Sequence, residues 1–173
     1  MLVDDARLVL GAWQDQLLRD DDVRSWAYEV LKDVPAAELP EWLLDLATLG
    51  PSACMNRPSS DFLHVPRLDF ASGFSLLVQA SNFADIADLD AFITWTSRAC
   101  IGEDLARPDV RFGYQLDHYM NDSTYLDECE RLDLARGLVR EQIPALRNRV
   151  VPVPQQVVEL VRRSKLRERE ADR

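Results

Sequence analysis

Residues 20–35 read DDDVRSWAYEVLKDVP. Val23, Trp26, Ala27, Val30, Leu31 and Val34 fall at i, i+3, i+4, i+7, i+8 and i+11, the repeat of one buried helical face. Pro35 stops the pattern, because the residue before a proline is driven out of the helical region. The outer face carries Arg24, Glu29 and Lys32, and Asp20, Asp21 and Asp22 stand at the N-terminal end, where the helix dipole favours acids.

The neighbouring segments repeat the theme. From Asp4 to Arg19, Val9, Trp13 and Leu17 are spaced by four, with Leu10 and Leu18 widening the stripe and Asp4 or Asp5 as the expected cap. From Pro40 to Leu49, Trp42, Leu43, Leu46 and Ala47 face one way, and Gly50-Pro51 ends the run. Residues 1–49 thus predict a three-helix unit anchored by Trp13, Trp26 and Trp42. Residues 50–61, GPSACMNRPSSD, show no period and read as a loop between sub-units.

The central part, 62–153, is expected to be mostly helical. Helices are predicted after Gly73, from Asn82 through Cys100, and from Asp122 or Ser123 along Tyr125, Cys129, Leu132, Ala135, Val139 and Ile143 to Pro144. Two segments read as short strands. Residues 62–70, FLHVPRLDF, are interrupted by Pro66, and residues 110–119, VRFGYQLDHY, alternate in polarity. Residues 154–173 predict a C-terminal helix, apolar along Val157, Val158, Leu160 and Val161 and almost wholly charged at its end. The expected fold is mainly α: a single compact domain over residues 1–173, with six or seven helices and at most two short strands.

Charge narrows the function. Thirty acids oppose twenty bases, a net of -10, and residues 1–50 alone hold eleven acids and four bases. Such a surface disfavours nucleic acid and anionic membranes and leaves a basic protein as the partner it would attract. No run of 18 uncharged apolar residues is present, the N-terminus lacks a secretory pattern, and three dispersed cysteines suit a reducing compartment; a cytoplasmic location is expected. The acids Asp20, Asp21, Asp22, Glu29 and Asp33 are the candidate partner-binding residues.

Catalytic motifs are missing. The chain has no G-x-G-x-x-G, no P-loop, no G-x-S-x-G and no H-E-x-x-H, and no cofactor is expected. His118 with Asp117 and Asp122 is the alternative metal or general-base cluster, and His64 is a more remote second imidazole. Cys54 is read as a loop cysteine, Cys100 and Cys129 as helical core residues. A homo-oligomer, or homodimer, joined through the apolar C-terminal helix is a further alternative.

The run Trp13-x-x-x-Leu17, Asp21-Asp22-Val23-x-x-Trp26-Ala27 and Leu43-x-x-Leu46-Ala47 resembles small acidic bacterial immunity proteins of the polymorphic-toxin type, over residues 13–47. The resemblance implies a cytosolic, non-catalytic inhibitor that neutralises a cognate toxin domain.

Overall fold

The structure is a computed structural model and describes residues 2–56, 62–63, 67–123 and 125–171. Among these, nine α-helices and no strand are found: α1 Leu2–Gln14, α2 Asp20–Asp33, α3 Glu41–Leu49, α4 Pro51–Met55, α5 Phe70–Ala80, α6 Ile86–Ala99, α7 Pro108–Asp117, α8 Glu128–Leu146 and α9 Gln155–Ala171. The mainly α expectation holds. None of these helices is long and apolar enough to cross a membrane.

The helices gather into two compact units. One comprises residues 1–68 with 154–173, the other residues 69–153. In the first, α2 packs on α1, α3, α4 and α9. Val9, Leu10, Val23, Ala27, Leu43, Leu46, Val157 and Val161 are buried there, and Trp26 is 6% exposed. The apolar stripe of α9 is therefore covered inside its own unit. In the second, Phe70, Phe74, Phe92 and Phe112 form a linked aromatic core, their neighbouring rings 5.6–6.3 Å apart.

Caps and breakers set the boundaries. Gly50 (φ +81°) ends α3, its N–H donating to the Leu46 carbonyl, and Pro51 opens α4 without needing a donor. Asp69 caps α5 by accepting from the Ser72 N–H, so that helix starts at Phe70 rather than after Gly73. Asp85, not Asn82, caps α6. Asp127 and Glu130 form a reciprocal capping box on α8, which therefore begins beyond Asp122 and Ser123.

The strand expected at 110–119 is overturned. Residues 110–119 lie in α7 and the π-helical turn that follows, His118–Asp122. Val110, Phe112 and Leu116 are buried in that helix, and Gly113 lies against α6, where an added Cβ would meet Cys100 Cβ at 2.6 Å. A spacing of two between Phe112, Tyr114 and Leu116 mimicked a strand, whereas Pro108 at the first helical position marked the true start. Of the second expected strand, 62–70, residues 64–66 lie outside the described residues, while 62–63 and 67–69 have no regular structure and Phe70 opens α5. Cys54 sits buried in α4 rather than in a loop, and Cys129 is exposed rather than in the core.

Candidate functional site

The acidic triplet divides by geometry. Asp20, Asp21 and Asp22 occupy the first turn of α2, with Arg19 as the capping residue. Successive positions on a helix point about 100° apart, so three adjacent carboxylates cannot share one face.

Asp22 points inward and is 1% exposed. Its Oδ2 accepts from the Arg19 N–H at 3.0 Å and from Ser164 Oγ at 2.5 Å, and its Oδ1 accepts from Arg167 Nη1 at 3.0 Å. A carboxylate buried this deeply is tolerable only with such a set of donors. Asp22 thus ties α2 to the far end of α9. Asp20 is half-buried, and its Oδ1 accepts from Trp13 Nε1 at 2.8 Å and Ser52 Oγ at 3.0 Å. It joins α1 and α4 to the start of α2. Two of the five candidate partner-binding acids are therefore occupied within their unit.

Asp21, Glu29 and Asp33 face solvent. Asp21 lies 3.7 Å from Arg24 Nη1, and Glu29 accepts from Lys32 Nζ at 2.7 Å. The Glu29 carboxylate raises the Lys32 ammonium above its ordinary value through that hydrogen bond. Lys32 Nζ also lies 5.2 Å from the Tyr28 ring centroid. Exposed pairs of this kind contribute little, so an incoming cation can displace them.

Asp21, Arg24, Ser25, Tyr28, Glu29 and Ala47 line a groove of about 330 Å³ between α2 and α3. Tyr28 is 60% exposed there. The sequence reading passed over it, because it lies off the apolar stripe. An aromatic at an outward position of an otherwise charged helix face was the available signal.

His118, Asp117 and Asp122 are not brought into one ligand set. His118 Nδ1 lies 3.5 Å from Asp122 Oδ2, and both side chains are largely exposed. Asp117 Oδ1 instead accepts from Asn121 Nδ2 at 2.6 Å. Among the described residues no group of three His, Cys, Asp or Glu side chains converges as a metal site would require. His64 lies outside the described residues.

No protein-family model matches the chain, and no curated protein or solved structure was found similar to it.

Proposed function

We propose that this chain is a non-catalytic protein-binding module, an immunity-type inhibitor that neutralises a basic bacterial toxin domain in the cytoplasm, and that the outer face of α2 makes the contact. The observation that carries the proposal is Tyr28, a large aromatic 60% exposed in a groove flanked by Asp21 and Glu29. Exposed tyrosines with a polar rim are typical binding anchors, since they add contact area with little side-chain entropy to lose. The acid excess of residues 1–50 supplies the steering field for a basic partner. The resemblance of residues 13–47 to immunity proteins supports the same reading.

The test is affinity capture from the native host with wild-type and Tyr28→Ala baits, followed by a growth assay with each captured protein. The proposal expects a basic, growth-inhibiting domain that the wild type retains and neutralises and the variant releases. Capture of no such domain, or equal retention and protection by both baits, overturns it.

A further inference from the structure

A second cleft lies wholly within the 69–153 unit, remote in sequence from the α2 face and independent of the reading above. It runs along one side of α7, has a volume of about 420 Å³ and is lined by Leu105, Leu138, Tyr114 and Tyr119 with Arg111, Gln115 and His118. That size falls in the range of small-molecule sites, roughly 300–1,000 Å³. Arg111, Tyr114, Gln115 and His118 fall at i, i+3, i+4 and i+7, one stripe along α7 and the first residue of the turn that follows it.

The charges in this cleft run against the chain. The protein carries thirty acids against twenty bases, yet no carboxylate lines the cleft among the described residues. Its formal charge comes from Arg111, which is exposed, and its guanidinium has no hydrogen-bond or ion-pair partner among the described residues. Two other arginines of this unit are engaged with carboxylates, Arg136 with Asp90 at 2.7 Å and Arg107 with Asp109 at 2.6 Å, whereas Arg98 and Arg140 are exposed like Arg111 but do not line the cleft. Beside Gln115 and His118, the walls carry two tyrosine rings and two leucines, which suit a flat apolar body.

The backbone adds an independent observation. At His118 the chain changes from α to π winding through Asp122, a rare conformation that recurs at functional sites. It is held by the Ser123 N–H and Oγ, both donating to the His118 carbonyl at 3.1 Å, and by Arg131 Nη1 donating to the Met120 carbonyl at 2.9 Å. This turn carries His118 and Tyr119 together onto the cleft wall.

We propose that this cleft binds a small aromatic carboxylate, with the carboxylate on Arg111 and the ring between Tyr114, Tyr119 and the two leucines. The probe is 3-phenylpropionate, with its neutral amide as the control, titrated into the ¹⁵N-labelled full chain and followed by amide chemical shifts. The acid is expected to shift residues 105–119 and 138 selectively and to bind about two- to fivefold more tightly than the amide, the worth of one ion pair at an exposed guanidinium. Arg111→Gln removes that preference, and because Arg111 is exposed the rest of the spectrum keeps its positions. Leu138→Glu, which places a carboxylate in the cleft, weakens the acid further. No selective shift up to about 10 mM probe, equal binding of acid and amide, or an undiminished preference in Arg111→Gln overturns the proposal.

Discussion

Replacing Asp22 by alanine tests whether the acidic triplet is structural or available. Asp22 is 1% exposed and accepts three hydrogen bonds, from the Arg19 N–H, Ser164 Oγ and Arg167 Nη1. Hydrogen bonds to a charged group contribute about 1.5–3 kcal/mol each. The Arg167 side chain is half-exposed, so its share is small. Ser164 is 3% exposed, so its hydroxyl would lose its acceptor in a place water does not reach. Removing the buried carboxylate also relieves its desolvation cost, which offsets part of the loss. The net expectation for Asp22→Ala is about 2–4 kcal/mol. In urea, with a slope of about 2 kcal/mol per molar, the midpoint should fall by about 1–2 M. Arg167→Ala should cost less than about 1 kcal/mol. Asp22→Ala and Ser164→Ala together should cost less than the sum of the two, because they share one bond. An unfolding free energy for Asp22→Ala within about 0.5 kcal/mol of wild type would refute the reasoning.

Three further outcomes follow from the packing. Trp26→Ala should cost about 3–5 kcal/mol by chemical denaturation, since the ring is 6% exposed in the first unit; Trp26→Phe should cost less, because the buried Nε1 has no acceptor among the described residues. Gly113→Ala should destabilise by about 1–3 kcal/mol in the same assay, its methyl meeting Cys100 Cβ at 2.6 Å. Burial, aided by the nearby Asp117 carboxylate, pushes the Cys100 thiol from 9.0 up to about 11. The fold then favours the neutral thiol, so its stabilising effect is present below pH 9 and is lost as pH rises towards 11. The stability difference between wild type and Cys100→Ala should therefore shift by about 2–3 kcal/mol across that window and stay constant below it.

The helices of residues 1–49 were legible because their apolar residues recur with helical spacing, although α1 runs from Leu2 to Gln14, so that Asp4 and Asp5 lie inside it rather than capping it and it stops short of Arg19. The harder places share a physical cause. Local pattern does not report depth: Trp26 and Ala27 are buried as the stripe requires, yet Val30, Leu31 and Val34 are only half-buried towards the end of α2. Asp22 looked like its neighbours Asp20 and Asp21, and only the arrival of Ser164 and Arg167, more than 140 residues later, makes it a buried acceptor. Gly113 sits in the segment whose alternation suggested a strand, whereas its missing side chain is what allows α7 to approach Cys100. Cys129 kept the helical register of a core position but falls in the exposed first turn of α8. At the candidate site the acids of α2 were visible and Tyr28 was not, because exposure of an aromatic is a tertiary property. Arg111 escaped notice for the same reason: its lack of a partner depends on what every other element leaves uncovered.

The most direct test of the α2 docking face is the association rate of the captured partner with the variant Asp21→Asn, Glu29→Gln, Asp33→Asn, measured by stopped flow across ionic strength. These three acids face solvent, and the structural acids Asp20 and Asp22 are left intact, so the fold is preserved. The account predicts a severalfold slower association than wild type at about 20 mM salt, with the two rates converging by about 0.5 M as screening removes the field. Equal rates for variant and wild type at low salt would contradict it.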